Sequence, residues 1–175
     1  MNRQTVIVVD YDPAWPRDFE MLRERIWPGL ADIALRIEHV GSTSVPGLAA
    51  KPIIDMLLVV PDPADEPSYV PALEAAGYRL HIREPHWFEH RMLRGGGTEL
   101  NLHVLPPGCS EIERMTGFRD HLRSNAEDRE LYERTKRELA AQVWAYGQNY
   151  ADAKTEVIDE IAARAGLPPR EVPDR

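Results

Sequence analysis

The chain has 175 residues and a net charge of −8 at pH 7, with 21 Lys and Arg against 29 Asp and Glu. This length suits one domain, and an apolar fraction of 43% can form a sizeable core. The acidic balance argues against sequence-independent nucleic-acid binding, which needs clustered Lys and Arg, but it leaves a local basic pocket open. The single cysteine, Cys109, excludes an intrachain disulfide and a thiolate metal cluster.

No segment approaches the roughly 20 apolar residues of a membrane span, and the N-terminal apolar stretch is too short for a signal peptide. A soluble, cytoplasmic protein with no membrane partner is therefore expected.

The first third of the chain alternates strand and helix patterns. A short strand is predicted at residues 5–9. A helix is predicted over 14–30, where apolar residues recur at helical spacing at Trp15, Phe19, Leu22 and Ile26. Two strands, 35–40 and 53–60, flank the turn "GSTSVPG". The second is continuously apolar apart from Asp55, which is typical of a central strand covered on both faces.

The middle of the chain predicts a helix followed by a hairpin. The helix ends near Ala76, where Gly77 is a stop signal. Residues 86–94 and 98–105 flank the sequence "GGG", and two strands joined by a Gly-rich turn form a hairpin. A mixed α/β half therefore extends to about residue 107.

The rest of the chain reads as helical. Capping-box spacings at Ser110 and Ser124 mark two helix starts, and a last helix is predicted at 150–165. The order predicts an α+β (mixed α/β) fold class with a helical C-terminal part. Residues 1–166 are expected to form a single domain, and 167–175 a frayed tail.

Asp55, a charged carboxylate within the apolar strand predicted at 53–60, indicates a ligand-binding site. An isolated buried carboxylate is costly, so Asp55 needs a cation, hydrogen-bond donors or an opening to water. Lys51 lies between the turn and the strand and can supply a point charge. The turn itself can direct amides and hydroxyls toward phosphate oxygens from Gly41, Ser42, Thr43 and Ser44.

Each of these features also has a purely structural interpretation. A Gly-Ser turn is usually only a turn, and a strand aspartate is often tied to backbone amides or to an arginine. Their combination with Lys51 in a strand–turn–strand context favours a ligand site over these alternatives.

Long stretches of the chain resemble one family. "IEHVGSTSVPGLAAKPIIDMLLVV", "YDPAW", "LNLHVL", "GFRDHLRSN" and "YADAKTEVIDEI" resemble the GrpB family, which is classed with the nucleotidyltransferase-fold superfamily. The resemblance implies a small mixed β-sheet flanked by helices, with the Gly-Ser turn opposite a carboxylate-bearing strand. It also implies relatives fused to dephospho-CoA kinase.

The sequence departs from the pattern of active members of that superfamily. Their turn is followed by an Asp-x-Asp pair, whose oxygens hold two Mg²⁺ ions about 3.5–4 Å apart. Asp55 takes the first position here, but Leu57 takes the second and cannot bind metal. Ordinary two-metal nucleotidyl transfer is therefore disfavoured, and the sequence leaves open whether the chain is an enzyme.

The strand predicted at 98–105 offers polar side chains that partly compensate for the missing second aspartate. Strand alternation places Glu99, Asn101 and His103 on one face, and His39 ends the strand before the turn. Asp55, His103 and Glu99 are predicted to bind one divalent cation, Mg²⁺, Mn²⁺ or Zn²⁺. Alternatively, His103 or His39 acts as a general base. The competing interpretation is that each histidine forms hydrogen bonds within the fold.

Further cations are candidates for anion binding. Arg91 or Arg94, on the hairpin, can meet an anionic ligand, unless the hairpin is simply an exposed charged one. Arg119 and Arg123 lie four residues apart on one predicted helix face, where they either clamp a phosphate or carboxylate or are simply solvated helix charges. Lys154 follows Tyr150 by one helical turn, a spacing that matches the family pattern, and it either contacts a phosphate or pairs with a carboxylate of the fold.

Two functions follow from these residues. The first is binding of a nucleotide or another phosphorylated or acidic small molecule between the Gly-Ser turn and Asp55, with transfer chemistry left open. The alternative is a non-catalytic accessory module that keeps the fold and binds a partner protein.

Overall fold

A computed structural model describes residues 6–95, 100–142 and 147–172. Its described residues form a five-stranded sheet in the order β1-β2-β5-β4-β3. β2 and β5 are parallel, and the other neighbours are antiparallel. The strands are β1 Arg36–Val40, β2 Ile54–Val59, β3 Tyr78–Glu84, β4 His90–Gly95 and β5 Leu100–Leu105.

Helices cover both faces of this sheet, which confirms the mixed α+β prediction. They are α1 Trp15–Leu30, α2 Val70–Ala75, α3 Ser110–Ser124, α4 Ala126–Ala140 and α5 Gly147–Arg164. Asn125, and not Ser124, caps α4: its side chain accepts a hydrogen bond from the Asp128 backbone N–H at 2.9 Å. No helix in the described parts of the chain has the length and apolar character to span a membrane.

The continuous apolar run of β2 reflects burial on both faces. Met56 and Leu58 point into a core shared with α1 and α2. Leu57 and Val59 point to the opposite face and pack near Ile112 of α3. Asp55 shares this second face, because successive side chains on a strand alternate.

The helical half packs as a second layer over the Asp55 face. Leu122 of α3, Tyr132 of α4 and Ile161 of α5 form a buried cluster with Val45 and Leu48, which follow the Gly-Ser turn. The turn is therefore held between the sheet and the helices, and this position creates a cleft.

The N-terminal strand and β3 differ from the sequence prediction. Val9 forms only an isolated bridge with Ala50, and residues 1–5 lie outside the described part. Residues 78–84, for which no element was predicted, form an edge strand. Its Tyr78 is buried while its charged residues face outward, so its alternation carried a strand signal in the sequence.

The predicted hairpin is present, but its first strand starts late. β4 begins at His90, after a turn in which Phe88 (φ 54°) and Glu89 (φ 51°) adopt left-handed conformations. β4 then pairs with β5, while residues 96–99 between them lie outside the described ranges.

The described part of the C-terminal segment, residues 167–172, contacts α3 and the turn between β3 and β4. Leu167 fills the space that Gly117 leaves on α3. The Pro168 carbonyl accepts a hydrogen bond from Arg114 at 2.6 Å, and the Glu171 carbonyl accepts one from the Trp87 indole at 2.8 Å. These contacts hold residues 167–172 against the fold.

Truncating the centre of the sheet is expected to destabilise the whole fold. Leu102 on β5 is fully buried, and Leu102→Ala should lower the free energy of unfolding by about 2–5 kcal/mol through lost burial and a cavity. Leu35→Ala, at a 56% exposed position, is the matched control and should cost far less. Urea denaturation measures both, and equal losses would contradict this description of the core.

Candidate functional site

A cavity of 310 Å³ lies between the Asp55 face of the sheet and helices α3–α5. Its walls include several of the sequence-predicted residues: Gly41, Ser42, Asp55, His103 and Lys154. The fold therefore brings the turn, the strand carboxylate, a later-strand histidine and a helix lysine to one place.

The Gly-Ser turn is a short 3₁₀ turn, Ser42–Ser44, fixed by its own side chains. The Ser44 hydroxyl donates to the Gly41 carbonyl at 2.5 Å, and the Ser44 carbonyl accepts from Arg123 at 3.0 Å. The Thr43 hydroxyl is 2.9 Å from Nε2 of His39. Thr43 and Ser44 are thus buried within the fold, and the structure places Gly41 and Ser42 at the cavity.

The structure does not bring His39 to the cavity face. Its strand partner is Met56, so its ring points to the face opposite Asp55, where it stacks on Phe19 with the ring centroids 4.8 Å apart. Burial lowers the pKa of His39 to about 4, against an opposing effect of the Asp55 carboxylate. A neutral ring that bonds to Thr43 is the interpretation that this position favours.

Asp55 sits at the cavity wall with its side chain 30% exposed. Nδ2 of Asn101 donates to its Oδ1 at 3.3 Å, and Nε2 of His103 lies 3.7 Å from the same oxygen. Gly41, at φ 73°, allows the turn to approach, since a Cβ there would be 2.5 Å from Asp55 Oδ2. A donor and an opening to water thus offset the cost of a carboxylate in an apolar strand.

His103 is one member of a chain of hydrogen-bonding groups. Its Nδ1 is 3.1 Å from Nε2 of His90, whose Nδ1 is 2.6 Å from Oε2 of Glu84. Burial lowers the pKa of His90 to about 4; His103 lowers it further, and Glu84 opposes the shift. The alternation of strand faces indicated His103 in the sequence. Glu84 was missed because β3 was not predicted, and its contact with His90 depends on the pairing of β3 with β4.

The predicted metal set is only partly assembled. Asp55 and His103 are adjacent, whereas Glu99 lies outside the described residues. Within the described ranges, no group of three or more His, Cys, Asp or Glu side chains is arranged to hold a metal ion. Leu57 is fully buried beside Ile112, so an apolar contact occupies the position of the second aspartate. Metal binding therefore stays a prediction.

All three lysines of the sequence converge near the turn. The ammonium groups of Lys51 and Lys154 lie 4.7 and 4.8 Å from the centroid of the Tyr150 ring. Lys136 lies 4.7 Å from the centroid of the Tyr132 ring, and the Tyr132 hydroxyl is hydrogen-bonded to Ser42 at the cavity. Two tyrosine faces therefore hold three cations, through an attraction of about 0.5–2 kcal/mol per contact.

Negative charge compensates these lysines only in part: the charge of Asp55 opposes the lowering of the pKa of Lys51 and Lys154, and that of Glu133 opposes the lowering of the pKa of Lys136. Burial, then repulsion by Lys51, lowers the pKa of Lys154 to about 8. Burial, then repulsion by Lys154, lowers the pKa of Lys136 to about 7, and its ammonium donates to the Ala49 carbonyl. Burial also lowers the pKa of Lys51. Among the described side chains, no carboxylate lies within 4.0 Å of any of the three ammonium groups.

The arginines of the cavity, in contrast, are paired. Arg119 donates to Glu38 at 3.2 Å, and Arg114 donates to Asp159 at 3.1 Å. The positive charge available to a ligand is therefore carried mainly by the lysines. The sequence analysis missed Lys136, because only the packing of α4 against the segment after the turn brings its ammonium to the Ala49 carbonyl.

The structure does not bring Arg91 to this cavity. It is buried on the opposite face of the sheet, where it donates to the Glu89 carbonyl at 2.8 Å and lies 3.8 Å from Glu66. Arg94 pairs with Asn101 across β4 and β5 and shares the Asp55 face, and its charge lowers the pKa of Lys51 further.

Comparisons with known proteins show the family of this chain. The family model for GrpB protein matches residues 5–164. The chain belongs to the GrpB family. A UPF0157 protein of Halalkalibacterium halodurans is 56% identical over 164 residues, covering 94% of this chain and 84% of that relative.

Solved structures extend the likeness to the fold. The crystal structure of the conserved protein GrpB from Enterococcus faecalis matches with a TM-score of 0.72 and 31% identity, over 88% of this chain and 98% of that one. A chain of the GLD-2/RNP-8 complex matches with a TM-score of 0.58 and 12% identity, over 94% of this chain and 64% of that one. The fold is thus nucleotidyltransferase-like, as the sequence resemblance implied.

Substituting Gly41 tests the close approach of turn and strand. Gly41→Ala should cost roughly 1–3 kcal/mol of stability, because its Cβ must displace Asp55 and the residue must keep a positive φ. Gly47→Ala is a matched control with φ 81° and open space around the added Cβ. Urea denaturation should show the larger loss for Gly41→Ala, and equal losses would contradict the contact.

The buried histidines predict a pH dependence of stability. The folded-state pKa of His39, about 4, lies below the unfolded value of 6.5, so the unfolded state binds a proton first as the pH falls. Stability should be fully present above about pH 6.5 and decrease toward pH 4, with His90 contributing in the same direction. In urea titrations between pH 6.5 and 5, His39→Gln should show a shallower decrease than the wild type, and identical slopes would contradict a neutral buried His39.

Proposed function

We propose that this GrpB-family chain binds a small anionic molecule, a nucleotide or another phosphorylated compound, in the cavity between the Gly-Ser turn and Asp55. The observation that carries the proposal is the ammonium group of Lys154 at the cavity wall, which shares the Tyr150 ring with the ammonium group of Lys51. Among the described residues, no carboxylate lies within 4.0 Å of either group. Both side chains are partly shielded from water, and a partly desolvated cation gains from an anion that pairs with it.

The energetics favour an anion at this point. Two unit charges 4 Å apart interact by about 4 kcal/mol at an effective dielectric constant near 20. Lys51 and Lys154 repel one another, and a phosphate group bound near both would add an attraction to each that offsets this repulsion. Binding should therefore raise the pKa of Lys154 from about 8 toward its ordinary value.

The neighbouring groups suit a phosphate ester. Gly41 and Ser42 offer backbone and hydroxyl donors at the cavity wall. Asp55 would hold a single divalent cation on the phosphate, or orient a hydroxyl of the ligand. Buried Leu57 argues against a second ion, so any transfer chemistry would differ from the two-metal reaction.

The competing function is a non-catalytic module that binds a partner protein. It predicts a cavity that no small anion fills, so the same ligand experiment separates the two functions.

Lysine substitution provides the direct test. Thermal and urea unfolding would be followed with nucleoside triphosphates and coenzyme A precursors, each with Mg²⁺, Mn²⁺ or Zn²⁺. A ligand at 100 times its dissociation constant should stabilise the wild type by about 2.7 kcal/mol. Lys154→Met should abolish this gain while leaving the ligand-free protein at least as stable, because the variant removes a buried, repelled ammonium.

Two further variants complete the design. Asp55→Asn should remove only the metal-dependent part of the stabilisation. Arg134→Met, at an exposed position on α4 outside the cavity, should bind as the wild type does. Stabilisation that persists in Lys154→Met would move the site elsewhere, and its absence for every compound in folded wild type would favour the partner-binding module.

A further inference from the structure

Three side chains from three neighbouring strands form a line that ends at Asp55. Glu84 of β3 contacts His90 of β4, which contacts His103 of β5, and these two contacts measure 2.6 and 3.1 Å. The last step, from Nε2 of His103 to Oδ1 of Asp55, is 3.7 Å. The line leads from the half-exposed Glu84 to the wall of the cavity.

The Glu84 carboxylate sets the donor and acceptor in both hydrogen bonds of this line, Glu84–His90 and His90–His103. An ionised carboxylate only accepts, so Nδ1 of His90 donates its proton to Glu84. His90 is 5% exposed and packs against the Trp87 ring, so its neutral form is favoured and its Nε2 is an acceptor. Nδ1 of His103 must then be the donor in the second bond.

The ring orientations agree with this order. The planes of the His90 and His103 rings differ by 21°, so the bond runs edge to edge, close to both ring planes. In neutral His103, the proton on Nδ1 leaves Nε2 with its lone pair.

We infer that Glu84 and His90 hold His103 in the Nδ1–H tautomer, so that its Nε2 is the proton acceptor facing Asp55 and the cavity. Glu84 and His90 are positioning residues, since neither is part of the cavity wall. His103 is the group that meets a ligand. In water, histidine favours the opposite, Nε2–H tautomer, so the arrangement must be imposed by the fold.

A basic Nε2 gives the cavity a specific reactivity, in a step that rests on the proposed function. A hydroxyl group or water held at Asp55 beside a bound phosphorylated ligand can pass its proton to Nε2, while the O–H electron pair stays on oxygen. His103 then becomes an imidazolium, which Asp55 stabilises from 3.7 Å away. The charge of Glu111, across the cavity, also interacts with His103.

The tautomer can be read directly by ¹⁵N NMR of the full chain. Long-range ¹H–¹⁵N correlation at about pH 8, where imidazole is neutral, distinguishes a protonated from an unprotonated ring nitrogen. His103→Gln assigns the signal by its loss. In the wild type we expect His103 to have protonated Nδ1 and unprotonated Nε2, and the reverse result would overturn the inference.

Two substitutions of His90 separate positioning from mere packing. His90→Phe keeps a ring but removes the acceptor, so His103 should change to the Nε2–H tautomer as its major form. His90→Gln offers an amide oxygen near the position of Nε2 and should keep the Nδ1–H form. An unchanged tautomer in a folded His90→Phe variant would contradict the role of His90, and His81→Gln on the exposed side of β3 is the control for spectral change.

These NMR measurements need no ligand, so they test the tautomer separately from the proposed function. An Nδ1–H tautomer without anion binding would support the inference and contradict the proposed function. Anion binding with an Nε2–H tautomer would support the proposed function and contradict the inference.

Discussion

The contact between Gly41 and Asp55 is the constraint on which the site depends. A residue without a side chain, in a conformation that others avoid, lets the turn reach the strand carboxylate. That approach places Ser42 and Asp55 on one wall and leaves Thr43 and Ser44 to tie the turn to the fold. The cavity is therefore largely preorganised by buried hydrogen bonds, and little ordering would be needed to bind a ligand there.

The lysine cluster lowers the stability of the fold, and the proposed anion binding would account for that cost. Burial lowers the pKa of all three lysines, and repulsion between lysines lowers the pKa of Lys154 and Lys136 further. The contacts with the tyrosine rings offset only part of this loss of stability. The arginines nearby follow the ordinary rule and pair with carboxylates. A fold selected only for stability would pair the lysines too.

Features set by local sequence patterns could be predicted, whereas features set by contacts between distant segments could not. The Gly-Ser turn, β2 and the α1 stripe were predictable because their patterns are local and strongly periodic. Asp55 and His103 were placed together by strand alternation alone. Arg91 and His39 lie on the sheet face opposite the cavity and not in the predicted cleft. A strand pattern gives two faces, and only the packing of α1 and α3 decides which of them meets the cavity. The Glu84–His90 contact and the position of Lys136 depend on pairing between distant segments, for which a single sequence carries no signal.

The outer strand β3 has a consequence for how the molecule meets others. Its exposed edge of backbone groups is a template for strand addition by another chain. Arg79 donates to the Glu74 carbonyl at 3.1 Å and Arg83 to Glu66 at 2.7 Å, so charged side chains surround that edge. An incoming strand would have to displace both arginines and bury their charge. This edge is thus protected against strand addition, and a partner that meets the molecule at β3 would have to recognise its side chains and not its open backbone.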